Sequence, residues 1–310
     1  MSRNRVIALS ATVALLTASA PSHAYRLLQI FATGRTNSST TINNVTCTDP
    51  SGFAHWSVAN TNWYHNVANQ GSGKDAALYN AMNVWNFVPS ASHTLTYKGR
   101  TTAGFATDGF NVASWGTGLG CSGSGGTGCF ALTALVLNSG QVIIESDVTF
   151  NNAQTWSTNG TNIDTWSVAA HEFGHTLGIA HTDIGSGPTM YAFYTPGTTG
   201  PQSLETDDKS AIQCEQSTYP PTTSCIPDGG VTDGSASCCS GYTFGSYTNS
   251  DGTFSICASV GSGGCAASGG VDDTWSSTSC CSGSAVSGST RCLNPADYNN
   301  GWATCIHTCQ

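Results

Sequence analysis

Charge is what this chain has least of. Only 9% of its 310 residues are charged, with 18 Asp and Glu against 9 Lys and Arg. A sparse, net-acidic surface cannot neutralise a phosphate backbone, so nucleic acid is not an expected partner. Long apolar runs are also missing. Beyond the first residues no segment is apolar enough to span a bilayer, and no transmembrane anchor is expected. Glutamate occurs four times and histidine eight times, yet "HEFGHTLGIAHT" at 171–182 holds three histidines and one glutamate. No histidine lies between His93 and His171.

What is present suits an exported protein. Glycine, serine, threonine and asparagine take the place of charge on the surface, and 39% hydrophobic residues suffice for one full core and a smaller module. The opening "MSRNRVIALSATVALLTASAPSHA" has basic Arg3 and Arg5, an apolar run from Val6 to Leu16, and small Ser22 and Ala24 beside a cut. It reads as a secretory signal over residues 1–24, which implies an extracellular protein. Its removal leaves 7 basic against 18 acidic side chains, a net charge of −11 with histidine neutral. All 14 cysteines lie beyond that cut, and an even number in an exported chain predicts disulfides.

The cysteines mark the domain organisation. Four precede residue 220 (Cys47, Cys121, Cys129, Cys214) and ten fall between Cys225 and Cys309. "STYPPTTS" at 217–224 reads as a linker. The tail, 225–310, carries "CCSG" twice, each time between a leading and a closing cysteine, so it reads as two small disulfide-stapled units. Its role is open between a targeting or substrate-holding module and a protease-resistant cap. Tyr242, Phe244, Trp275 and Trp302 would form either a binding face or a minimal core.

Between residues 53 and 216 helix and strand signals alternate. "KDAALYNAMNVWNFVP" sets Leu78, Ala81, Trp85 and Val88 on one helical face and stops at Pro89. "HTLTYKG" and "QVIIESDVTF" read as strands. "TNIDTWSVAAHEFGHTLG" reads as a helix with Asn162 available as its cap and Gly178 as its terminator. "TDDKSAIQCEQ" predicts a last helix capped by Thr206, with two acids where the helix dipole favours them. The class is α+β, and residues 25–52 form a short N-terminal segment, a candidate propeptide.

His171 and His175 are four apart, so on a helix both rings leave one face, about 5–6 Å apart at Cβ. Two imidazoles so placed can reach one zinc ion at about 2.0–2.1 Å each. Glu172, beside the first, can reach a water on the ion without ligating it. Gly178 lets the chain turn sharply and bring His181 back as a third ligand, which leaves a fourth position open for chemistry. The competing reading is a helix with ordinary polar residues. Three His, a Glu and a Gly at these places arise by chance on the order of once in 10⁵ chains, which disfavours it.

"HEFGHTLGIAH", followed nine residues later by Met190 in "GPTMY", resembles the metzincin metallopeptidases. Thr182, "MY", "LETDDKSAIQ" and "FNNAQTW" resemble the matrixin branch in particular, over roughly residues 53–216. The resemblance implies a twisted, mostly parallel sheet with an antiparallel edge strand, an active-site helix and a C-terminal helix. It implies one catalytic zinc on His171, His175 and His181, with Glu172 as general base on the zinc-bound water and Met190 as an apolar floor. With Ala192 two residues after the methionine, no tyrosine ligand is expected.

Where the family has a histidine and a run of acids, this chain reads Thr149, Phe150, Asn151, Asn152, Ala153, Gln154. A second, structural zinc is therefore not expected, and neutral amides argue against calcium. A bridge between Cys121 and Cys129 would then replace a metal clip. "FALTALVLNSG" resembles the family's substrate-receiving edge strand, with plain core as the other reading. If the tail cysteines pair among themselves, Cys47 and Cys214 are left for each other, close in the family's arrangement. The alternative is that Cys47 is an inhibitory thiolate on the zinc.

The resulting expectation is a secreted, monomeric zinc metalloendopeptidase acting on proteins or peptides. The segment 191–205 would wall the pocket beside the zinc. The alternative is a secreted adhesion or binding protein with a vestigial metal site and a disulfide-rich binding tail. An intact Glu172 speaks against it.

Overall fold

The period-two and period-3.6 patterns become a sheet with helices packed on it. A computed structural model describes residues 5–10, 25–32, 40–49, 52–89, 93–117, 129–138, 140–220, 225–258, 266, 271–273, 280–281, 284–296 and 305–310. The strands are β1 (Arg5–Ser10), β2 (Leu27–Ala32), β3 (Thr40–Val45), β4 (His55–Trp56), β5 (Asn60–Asn66), β6 (Thr94–Thr101), β7 (Asn111–Gly116), β8 (Ala131–Leu137), β9 (Val142–Asn151), β10 (Trp156–Ser157) and β11 (Ile163–Asp164). The helices are α1 (Asp75–Asn86), α2 (Thr165–Thr176) and α3 (Thr206–Thr218).

The main sheet runs β1-β8-β9-β7-β5-β6, with β4 also paired to β9. Strands β5, β6, β7 and β9 are mutually parallel, and β8 runs against β9. A parallel pair needs a long crossover, which α1 supplies between β5 and β6. The mostly parallel sheet with an antiparallel strand towards one side is therefore formed. Beyond β8 lies β1, a piece of the expected leader, antiparallel from Arg5 opposite Leu137 to Ser10 opposite Leu132.

Helices α1 and α2 cover one face of the sheet. Trp85 of α1 donates from Nε1 to the Ala170 carbonyl at 2.8 Å, and Trp56 donates to the Thr176 carbonyl at 2.8 Å. Trp63 of β5 meets Phe173 edge-on with ring centroids 5.0 Å apart. Each indole therefore buries its rings and still satisfies its N–H. The cap of α2 is Asp164, whose carboxylate accepts from Ser167 N at 2.8 Å, rather than Asn162. The cap of α3 is Glu205, in a reciprocal box with Asp208, and Thr206 is already helical.

Residues 25–32 and 40–49 are woven into this core. Leu27 and Leu28 are fully buried, and Leu28 N donates to Gly178 O at 2.8 Å while Ala180 N donates to Arg26 O at 2.9 Å. Cys47 is bridged to Cys214 on α3, which answers the question left open between a bridge and a zinc-bound thiolate. Cys129 is also bridged, and residues 121–128 lie outside the described residues.

Neutral groups and carboxylates hold the loops around β9. Asp147 accepts from Val112 N and Ala106 N, and Glu145 from Asp108 N and Gly109 N. Asn151 donates to Cys129 O at 3.0 Å, and Gln70 donates to Gln154 O at 3.0 Å.

The tail is stapled by Cys225–Cys239, Cys238–Cys257, Cys280–Cys309 and Cys292–Cys305. Its two halves are not copies in connectivity. The first cysteine of the first "CC" pairs with that unit's closing cysteine, whereas Cys280 pairs with Cys309. Phe87, just past α1, completes an apolar cluster with Val231, Phe254, Ile256, Leu293 and Ile306. Lys209 pairs with Asp251 at 2.5 Å, and Arg100 N donates to Ser287 O at 3.1 Å. The tail thus borrows an aromatic side chain to close a core it cannot fill alone. Tyr242 stays exposed, and Trp275 and Trp302 lie outside the described residues.

His93 gives a pH test of this packing. Its Nδ1 meets Val58 O at 2.6 Å, its Nε2 meets Thr61 Oγ1 at 3.2 Å, and burial lowers its pKa from 6.5 to about 4. Between those values the unfolded chain binds a proton that the folded chain refuses, so stability falls as pH falls through that window. The loss amounts to about 3 kcal/mol by pH 4. Urea unfolding of metal-free wild type and His93→Gln across pH 4–7 should show the wild-type curve dropping more steeply by that amount. Parallel curves would contradict the assignment.

Candidate metal centre

Helix α2 carries the first two histidines because Ala169, Ala170, Phe173 and Leu177 bury its other side in the core. His171 and His175 are themselves buried, and their rings stand 4.7 Å apart. Gly178 ends the helix at φ +85°. A Cβ there would fall 2.1 Å from the Ala54 carbonyl oxygen, so both conformation and space demand glycine. The turn returns His181 to the other two. His181 Nε2 lies 3.2 Å from His171 Nε2 and 3.2 Å from His175 Nε2.

Proton placement decides what this cluster can do. His171 Nδ1 lies 2.7 Å from Thr189 O, and His175 Nδ1 lies 2.7 Å from Ile179 O. A carbonyl can only accept, so both Nδ1 atoms carry hydrogen and both Nε2 atoms present lone pairs inward. Burial lowers His171 to about 4 and His181 to about 3, and burial with the two neighbouring imidazoles drives His175 well below 6.5. All three are neutral at pH 7. A hydrogen on His181 Nε2 can bridge to those lone pairs at 3.2 Å, and a cation that draws on all three Nε2 atoms replaces that contact with coordination.

The spacing fits zinc. Four tetrahedral bonds of ~2.05 Å separate ligand atoms by about 3.3 Å. The three histidines can therefore hold a metal ion. The other such cluster among the described residues, Cys280, His307 and Cys309, has its two sulfurs in a disulfide and offers no thiolate.

Glu172 follows the first histidine and is 2% exposed. Burial raises its carboxyl to about 7 against a lowering hydrogen bond from Thr133, whose Oγ1 donates to Glu172 Oε2 at 2.5 Å. Met190 is 1% exposed and packs over Gly174, where a Cβ would lie 2.2 Å from the Met190 sulfur and 2.7 Å from the Trp85 ring. Glycine inside a helix costs about 1 kcal/mol, and here it makes room for that sulfur.

Three further residues contribute to the site. Asp208 accepts from Thr189 N at 2.9 Å, Met190 N at 3.0 Å and Glu205 N at 2.9 Å, so one carboxylate fixes the methionine turn and caps α3. The turn it fixes presents the Thr189 carbonyl to His171. Gly174 is the second and Thr133 the third. A glycine within a helical pattern is a visible anomaly, whereas an aspartate in a first turn looks like ordinary dipole compensation.

Comparison with known proteins bears on this arrangement. The matrixin family's sequence profile matches residues 55–215, just over half of the chain. The chain belongs to the matrixin family. Among similar proteins, the interstitial collagenase of Equus caballus is 45% identical over 71 residues, 23% of this chain and 14% of that protein. Karilysin of Tannerella forsythia is 50% identical over 46 residues, 15% of this chain and 10% of its own length. Stromelysin-3 of Rattus norvegicus is 35% identical over 133 residues, 43% of this chain and 25% of its own. The aligned stretches span a quarter or less of these relatives. The likeness therefore concerns the matrixin unit, and the tail stands outside the profile match.

Within this matrixin unit, Asp208→Ala should leave three backbone N–H groups without their acceptor and let the Thr189 carbonyl drift. The variant is expected to lose about 2–4 kcal/mol in urea unfolding and about ten- to a hundredfold in zinc affinity by chelator competition. Unchanged zinc affinity would contradict the link from Asp208 to His171.

Proposed function

We propose that the protein is a secreted zinc metalloendopeptidase. The observation that carries this reading is the convergence of three neutral imidazole Nε2 atoms beside a buried carboxylate, on a matrixin frame. His171, His175 and His181 hold the ion, and no fourth protein ligand is assigned. Zinc so held supplies Lewis-acid chemistry, polarising a carbonyl and acidifying water.

The chain's own groups supply the rest. Glu172 takes the proton from the attacking water and passes it to the leaving amine. Met190 and Gly174 form the packed floor, which keeps the histidine rings in register. The substrate is an extended stretch of protein or peptide paired along β8. Support for that placement comes from β1, an extended segment already antiparallel on the same strand. Removal of residues 1–24 after Ala24 vacates that edge.

In this reading residues 25–52 are a short N-terminal segment, 53–216 the matrixin unit, 217–224 a linker, and 225–310 a disulfide-stapled module. The molecule acts outside the cell as a monomer. Among the described residues no helix is long and apolar enough to cross a membrane.

The test is Glu172→Ala. Purified wild type with zinc should cleave casein or gelatin, and the variant should bind zinc with similar affinity and lose at least about a thousandfold in kcat/KM. Equal cleavage by both, or none by either, would refute the peptidase reading.

A further inference from the structure

Strand β8 reads "ALTALVL", and alternation puts residues 131, 133, 135 and 137 on one face. Ala131, Leu135 and Leu137 of that row belong to the main apolar core. Thr133 shares the row and is fully buried, a hydroxyl where an apolar side chain would suit the packing. A buried hydroxyl needs a partner. Its partner is Glu172, through Oε2 at 2.5 Å, and the same hydroxyl lies 3.2 Å from the Glu172 carbonyl oxygen. Both are acceptors, so the single hydrogen is shared between side chain and backbone of one residue. The other carboxylate oxygen, Oε1, accepts no hydrogen bond among the described residues.

We propose that Thr133 is a positioning residue for Glu172, fixing Oε2 so that Oε1 alone is presented for proton transfer. This rests on the reading of Glu172 as the general base. A glutamate side chain has three rotatable bonds, and a carboxylate that must act at one place loses rate when it explores others. Two anchor points on one hydroxyl, the carboxylate and the backbone of the same residue, hold the side chain in one rotamer. The anchor stands on β8 itself. The strand that pairs with extended substrate through its backbone thereby sets the base through a side chain, and the two stay in a fixed relation.

Thr133→Val keeps the shape and removes the donor, while Thr133→Ser keeps the donor. On a fluorogenic peptide cut by the zinc-loaded wild type, Thr133→Val should lower kcat by about ten- to a hundredfold with KM within about twofold, and Thr133→Ser should stay within about threefold of wild type. A second readout needs neither zinc nor turnover. A double-mutant cycle of Thr133→Val and Glu172→Ala in metal-free protein should show a coupling of about threefold or more in the unfolding constant. Wild-type kcat in Thr133→Val, with Glu172→Ala inactive, would overturn the positioning role and leave the base reading standing. A serine variant as slow as the valine variant, or a cycle without coupling, would also overturn it. Full activity in Glu172→Ala would overturn both together.

Discussion

Three imidazole Nε2 atoms converge, His181 lying 3.2 Å from each of the other two, and most of the surrounding structure serves to hold them there. Such an arrangement is unfavourable by itself. Each ring has given up water in packing, and none takes a second proton at neutral pH. The unfavourable state persists because the backbone on every side is over-determined. Carbonyls of Thr189 and Ile179 pin two rings, Gly178 supplies the turn that returns the third, and Asp208 holds the segment that carries Thr189. Rigid surroundings of this kind preorganise a binding centre, so that its ligand atoms need not be ordered on binding.

Rigidity comes from several sources in this chain. Indole N–H bonds tie α1 and β4 to α2, and the Cys47–Cys214 bridge ties residues 40–49 to α3. Around β9, amides and carboxylates bond to loop backbone directly. The tail, too small to fold on apolar burial alone, adds four described bridges and packs on Phe87. Its docking places it against α1 and β6, on elements that carry no ligand of the histidine cluster.

The centre was legible wherever identity and spacing were themselves the signal. His171, Glu172, His175, Gly178 and His181 lie within eleven residues, and helix periodicity plus one glycine turn suffices to bring them together, while Met190 was implied by the resemblance to the metzincins. The α+β class and the helix positions followed from apolar periodicity in the same way, whereas the mostly parallel sheet was implied by the resemblance to the metzincins. Thr133 and Asp208 escaped because their partners are 39 and 18 residues distant, and the contact exists only after β8 packs on α2 and α3 on the methionine turn. The caps of α2 and α3 were misplaced by two residues and by one. Asn162 and Asp164 are both good caps that only backbone conformation separates, and Glu205, a poorer cap by type than Thr206, is selected by its reciprocal box with Asp208. Phe87 resembled any core residue at a helix end, so nothing in its neighbours announced that it belongs to the tail's core.

X-ray absorption at the zinc edge of the metal-loaded protein tests the central claim most directly. The account predicts one zinc per chain with three imidazole nitrogens at about 2.0–2.1 Å and one light, non-protein oxygen completing the shell. A sulfur at about 2.3 Å, a fourth imidazole, or no stoichiometric zinc would contradict it.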